Sequence, residues 1–229
     1  MSVENLTVYE PWDLKKPKIP LRSRLFSLKP IGIGTPLVES LTSYLIRLSE
    51  LHCLSVRNLV AHTVVPIVPK NYHTTNLFCM RNDTGAINGT GDLAQDLVQA
   101  LEKLTYCSDF PYLTLLNWQQ ILTTRKLLRK TRAWCPHCYE EWRLSHQKVY
   151  DPLLWHFNSI SVCLHHQRVL ETVCPHCHQQ IPILSSLSRA GYCSKCGQWL
   201  GIVSTTNNTE PSNLSKAHTK SALVIPFIS

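Results

Sequence analysis

Apolar residues recur at helical spacing in only part of this chain. Leu41, Leu45, Leu48 and then Leu51 or His52 fall three or four apart with Ser, Arg and Glu between them, which predicts an amphipathic helix over residues 38–52. Cys53 and Leu54 make a short turn, Ser55 is a good N-cap, and Val56, Leu59, Val60 and Val64 predict a second helix stopped by Pro66. Two helices joined so tightly have the form of a helix-turn-helix; an ordinary hairpin inside a bundle shows the same pattern. Residues 66–91 are rich in Asn and Gly, lack periodicity and read as a long loop. Asp92 is placed to cap a helix carrying Leu93, Leu97, Leu101 and Leu104, and the apolar run after Pro111 predicts one or two further short helices.

The two ends read differently. Pro11, Pro17, Pro20, Pro30 and Pro36 exclude a long helix from residues 1–36, which are expected to form an extended arm. Residues 204–221 are rich in Ser, Thr and Asn and read as a linker, followed by a short apolar segment over 222–229. In the middle, Trp142, Tyr150, Trp155 and Phe157 supply more apolar surface than a bare metal-binding loop needs. They are expected to pack that region against the helices, as are Trp199 and Leu200 farther on.

The chemistry is concentrated between residues 135 and 196, which hold seven of the ten cysteines. Cys135/Cys138, Cys163/His166, Cys174/Cys177 and Cys193/Cys196 form four pairs, each with two residues between its members. A C-x-x-C knuckle turns tightly enough to place two thiolates at adjacent corners of a tetrahedron, so two knuckles complete one closed site. Consecutive pairing gives two structural zinc ions, one on Cys135, Cys138, Cys163 and His166, the other on Cys174, Cys177, Cys193 and Cys196. Interleaved pairing is the alternative. His137, His165, His176 and His178 are alternative ligands by position, but His166 alone repeats the two-residue gap. Disulfides would need an oxidising compartment, and residues 1–29 show no apolar signal core, so a cytoplasmic location is expected.

Charge narrows the reading further. The formal net charge is +8. Seven thiolates and two zinc ions together lower it to about +5, mostly from the part before the knuckles. Arg125, Lys126, Arg129, Lys130 and Arg132 form the strongest local basic cluster, and Arg57 sits on the second predicted helix; these are the candidate contacts to nucleic acid or an acidic partner, against the plainer reading of a solvated helix face. Closed metal sites leave no position for a catalytic water. No H-x-E, H-E-x-x-H or G-x-x-x-x-G-K-[ST] motif occurs, and no apolar run is long enough to span a membrane.

Two stretches together resemble the TniQ/TnsD family of transposon target-selection proteins. The first is PLVESLTSYLIRLSELH over residues 36–52, followed by Leu54, Ser55 and Leu59; the second comprises CPHC at 135–138, CLHH at 163–166, CPHC at 174–177, CSKCG at 193–197 and WLG at 199–201. The family motif often has Gly-Glu before its Ser and Gly after its His, where this chain has Val38-Glu39 and Cys53. The resemblance implies a non-enzymatic adaptor linking a target-recognition complex, either a CRISPR effector or attachment-site DNA, to the AAA+ ATPase TnsC. A homodimer is a further expectation. The alternative is a sequence-specific, zinc-containing DNA-binding protein that reads an attachment site or regulates transcription. The expected fold is mainly α with small zinc-bound β elements. It comprises an arm (1–36), a helical domain with a helix-turn-helix-like pair (37–131), two zinc-finger or ribbon modules (132–170 and 171–201) and a C-terminal tail (202–229).

Overall fold

The computed structural model describes residues 22–68, 84–123 and 125–202. Most of the expected arm and central loop, the C-terminal tail and Cys79 lie outside the described residues. Among the described residues four α-helices appear in chain order: α1 (Leu41–Leu51), α2 (Val56–Leu59), α3 (Asp92–Thr105) and α4 (Pro136–Leu144). Among the described residues β-structure is confined to isolated bridges, so the expected β elements reduce to single paired residues.

Helix α1 starts at Ser40, whose side chain accepts from the Ser43 N–H, and ends at His52. Its apolar spacing predicts one buried face, yet every residue from Leu41 to Ser49 is buried. The hydroxyl of Ser49 returns to the Ile46 carbonyl at 2.8 Å, while Thr42 exchanges hydrogen bonds with Asn88. Tyr44 packs edge-on to Phe110 and donates to the Leu28 carbonyl at 3.0 Å. One core therefore surrounds α1, drawing on Leu25, Val56, Leu97, Leu101 and Leu184 from before and after it in sequence.

The second predicted helix departs from regular geometry. After one α turn capped by Ser55, the chain widens into a π-turn over Val60–Val64 and tightens into a 3-10 turn over Val65–Ile67. Pro66 supplies the physical reason, since it has no N–H and its ring obstructs the preceding turn. Helix α3 has Gly91 as its N-cap, with Asp92 as its first helical residue. The run after Pro111 yields only 3-10 turns at Phe110–Leu113 and Leu116–Trp118.

A polar seam joins α1 to the cysteine-rich half. Ser40 donates its N–H to the Asp151 carbonyl at 3.0 Å, Leu153 donates to Val38 at 2.7 Å, and the Asp151 N–H donates to Ser43 Oγ at 2.9 Å. The same Ser43 hydroxyl donates to Glu39, which also pairs with Arg47 and accepts from the Ile31 N–H. Glu39 is fully buried and Arg47 is 9% exposed. Burial pushes the Glu39 carboxyl up to about 7, against the attraction of Arg47 and its hydrogen bonds.

Two predictions follow the geometry of α1. A folded-state pKa above the unfolded value means that the unfolded chain loses this proton first as pH rises. Glu39 therefore contributes its full stabilisation at acid pH and loses part of it between about pH 4.5 and 7. Replacement by glutamine removes that slope: the urea midpoint of Glu39→Gln relative to the parent shifts in favour of the variant between pH 5.5 and 7.5, and a constant difference would contradict the assignment. At the end of the same helix Cys53 sits at φ +54°, in the left-handed region where a side chain costs about 1–2 kcal/mol. Cys53→Gly relieves that strain and, after the greater entropy of unfolded glycine, is expected to raise stability by about 0.5–1 kcal/mol in chemical denaturation.

Candidate functional site

The four knuckles are built in two ways. Cys135 is the N-cap of α4 and Cys138 lies in its first turn, with Pro136 fixing the start of the helix. The other three repeat one hairpin. In each, the first cysteine donates its N–H five residues ahead (Cys163 to Arg168, Cys174 to Gln179, Cys193 to Gln198), and its carbonyl accepts from the residue four ahead. That fourth residue has positive φ each time: Gln167 at 52°, His178 at 54° and Gly197 at 73°. Antiparallel bridges Val162↔Val169, Val173↔Gln180 and Tyr192↔Trp199 close the three loops.

The resulting clusters follow the consecutive grouping. Cys135, Cys138, Cys163 and His166 converge, as do Cys174, Cys177, Cys193 and Cys196, with the donor atoms of each set all within 4.8 Å of one another. In the first set Cys138 Sγ lies 3.5 Å from Cys163 Sγ and 3.2 Å from His166 Nδ1, while Cys135 Sγ is 3.6 Å from the same nitrogen. In the second, Cys174 and Cys196 are 3.7 Å apart and Cys177 and Cys193 3.8 Å. A tetrahedron with Zn–S bonds of about 2.3 Å has edges of about 3.8 Å, so both donor sets have the dimensions and the softness to hold zinc. The free edge of His166 faces Glu141, with Nε2 3.4 Å from Oε2. Such a carboxylate fixes the ring with Nδ1 turned inward.

The alternative histidines are placed elsewhere. His165 points to Glu141 at 3.3 Å, and His176 Nε2 lies 3.1 Å from the Trp199 carbonyl. His137 stacks near His166 at 5.3 Å with its Nδ1 buried and without a partner. Neither periodicity nor spacing signals Glu141 as a partner of the first cluster; only its position one turn along α4 from Cys138 hints at it.

Aromatic side chains pack around the clusters. Trp142 stacks on Tyr150 at 4.5 Å and on Trp155 at 6.0 Å, and Trp134 donates to the Leu200 carbonyl at 3.1 Å. Trp199 donates to Glu140 at 3.0 Å and lies so close to Gly191 that a Cβ there would meet its ring at 2.2 Å. Gly191 also has φ +76°, so both space and backbone require glycine.

The basic cluster does not form a single surface. Residues 127–134 run as an extended thread that pairs with 156–158, 181 and 171 in turn, through Arg129 N–H to the His156 carbonyl, Arg132 N–H to Ile181 and a reciprocal pair between Trp134 and Glu171. Arg129 is spent on the Phe157 and Ile160 carbonyls. Arg132 is 2% exposed and pairs with Asp151 through one edge of its guanidinium, Nε lying 2.8 Å from Oδ2 and Nη2 3.0 Å from Oδ1. It also donates to Tyr139 at 2.9 Å and to the Tyr192 carbonyl at 3.1 Å. Burial works against its charge, but Asp151 and Tyr139 outweigh that and hold its pKa above the usual arginine value. Arg132 is therefore an internal brace and not an external contact, whereas Arg125, Lys126, Lys130 and Arg57 are exposed.

Among the described residues no helix is long and apolar enough to cross a membrane. A search of curated proteins returned no significant match. The TniQ family model matches residues 30–170, a span that contains α1, the polar seam and the whole first cluster and amounts to well over half of the chain. The chain belongs to the TniQ family.

Proposed function

We propose that this chain is a non-enzymatic target-selection adaptor in DNA transposition, linking a target-recognition complex, a CRISPR effector or an attachment-site DNA, to the AAA+ ATPase TnsC. The observation that carries the reading is family membership over residues 30–170, since TniQ proteins act in transposition target selection and are generally non-catalytic. The donor chemistry is consistent with it: each cluster supplies four protein ligands, which fills a tetrahedral ion and leaves no open position for substrate or water. Cys135, Cys138, Cys163 and His166 would hold one structural zinc, and Cys174, Cys177, Cys193 and Cys196 the other. The chemistry zinc supplies there is cross-linking, which fixes the loops that carry the surface.

A second reading, sequence-specific DNA binding by the α1/α2 pair, has one observation in its favour: Arg57, Asn58 and His62 are exposed on the second element. Against it, α1 is enclosed and α2 has a single regular turn before the π-turn, which is a short platform for a major-groove helix.

Two experiments test these statements. Affinity capture with purified TnsC and, separately, with an effector complex at low salt is expected to retain the full-length chain with at least one of them. Retention by neither, together with selectivity of ~10³ or more for one duplex over random DNA, would replace the adaptor by the DNA reader. For the metal sites, elemental analysis is expected to give two zinc ions per chain and one in Cys177→Ser, because the three remaining ligands bind far more weakly. Two ions retained in that variant would overturn the assignment of the second site.

A further inference from the structure

Away from both metal clusters, a groove of about 600 Å³ opens where α1, the end of α4 and the second cysteine module meet. Its cations come from all three: Arg47 from α1, Arg143 and Lys148 from α4 and the loop after it, and Arg189 from the module. The one carboxylate in its lining is Glu50. Val149, Tyr192 and Trp199 supply apolar surface between these charges.

The three arginines are held in place before any ligand arrives. Arg47 is paired with Glu39 in the core, Arg143 bonds Glu140 through Nε at 3.1 Å, and Arg189 lies 4.0 Å from Glu50 while its guanidinium covers the Tyr192 ring at 4.3 Å. Glu50 in turn accepts the Ala190 N–H at 3.0 Å, which fixes the wall of the groove to α1. A guanidinium restrained on one edge still presents N–H groups on the other, and a planar fork of that kind suits a carboxylate.

The chemistry separates two classes of anion. A nucleic-acid strand needs a continuous positive field and open ring faces for its bases. Here the arginines stand apart, each beside its own carboxylate: Arg47 is 9% exposed against Glu39, Arg143 pairs with Glu140 and Arg189 lies beside Glu50, so they do not form a continuous track for a phosphate backbone. The ring faces are also in use: Arg189 covers Tyr192, and Trp199 packs on Tyr192 at 5.1 Å, on Tyr139 at 6.0 Å and on Gly191 and Gly201. What the groove leaves available is a set of separated donors with apolar edges between them.

We propose that this groove binds an acidic segment of a partner protein, with carboxylates on Arg143, Lys148 and Arg189 and an intervening apolar side chain against Val149 and Trp199. The inference rests on the adaptor reading and gives it a docking site within the chain. Lys148 is exposed and Arg189 is two-thirds exposed, so both can be reversed in charge without touching the core.

The test uses the full-length, zinc-loaded chain and fluorescence anisotropy with three labelled probes: a peptide of alternating glutamate and leucine, its lysine counterpart, and an oligothymidylate of matching charge. Binding of the glutamate peptide in preference to the other two is expected, weakened about tenfold by Lys148→Glu with Arg189→Glu, and to a lesser degree by Lys148→Glu alone. An unchanged zinc count and circular dichroism spectrum would establish that the variants are folded. Preference for oligothymidylate, no binding of the glutamate peptide, or binding that ignores both substitutions would each overturn the proposal. Peptide binding reads the groove alone and TnsC capture reads the adaptor role, so either can fail without the other.

Discussion

A helix buried over nine consecutive residues must satisfy the polar groups it carries there from within the protein, and α1 does so by tying both halves of the chain to itself. Glu39 and Ser40 at its start, with Thr42, Ser43 and Arg47 within it, are all buried. Two of their partners, Asn88 and Asp151, come from far along the sequence, and a third, the Ile31 backbone, from just before the helix. Leaving one such charge without its partner typically costs about 3–5 kcal/mol, a large fraction of a domain's net stability. Asp151 extends the constraint, because the carboxylate that holds Arg132 belongs to the residue whose backbone holds Ser40 and Ser43. Arg132 then reaches the Tyr192 carbonyl in the second module, so one connected set of buried polar contacts spans the molecule.

The clusters work within that frame. Three of the four knuckles are the same hairpin, closed by a left-handed residue, and the fourth is absorbed into the start of α4. Each cluster has four donors that could close around one ion, and such an ion would fix the loops that carry the surrounding surface. Trp199 illustrates the coupling: it sits three residues beyond the last knuckle, bonds Glu140 on α4 and packs on Gly191 across its own hairpin. Ordering of the second metal loop thereby sets one wall of the groove beside α1.

Much of this was legible beforehand, for identifiable reasons. The helix at Leu41–Leu51 follows from its leucine spacing, which is local, whereas its start at Ser40, two residues after the expected Val38, is read only from the structure. The grouping of the eight donors follows from regular two-residue gaps, which are also local. The basic run divides, with Arg125, Lys126 and Lys130 exposed and Arg129 and Arg132 drawn to internal partners, because like charges adjacent in sequence need not share a face. An extended thread instead sends side chains to both of its sides, and Arg129 meets the Phe157 and Ile160 carbonyls while Arg132 meets Asp151. The second helix of the pair was legible in position but not in geometry, since Pro66 acts back on the preceding turn in a way that apolar periodicity does not record.

By itself the sequence determined where the chain turns, which residues can cap or ligate, and that the cysteine-rich half is organised by four knuckles, because each of these depends on residues within a few positions of one another. Tertiary structure alone decided that α1 is buried from Leu41 to Ser49, that Glu39 sits with Arg47 where burial raises its carboxyl pKa, and that Arg132 is a brace. Those outcomes depend on partners such as Asn88 and Asp151, which lie 46 and 108 residues from the α1 side chains they meet. Burial is a property of what surrounds a side chain, and no spacing along the chain encodes it.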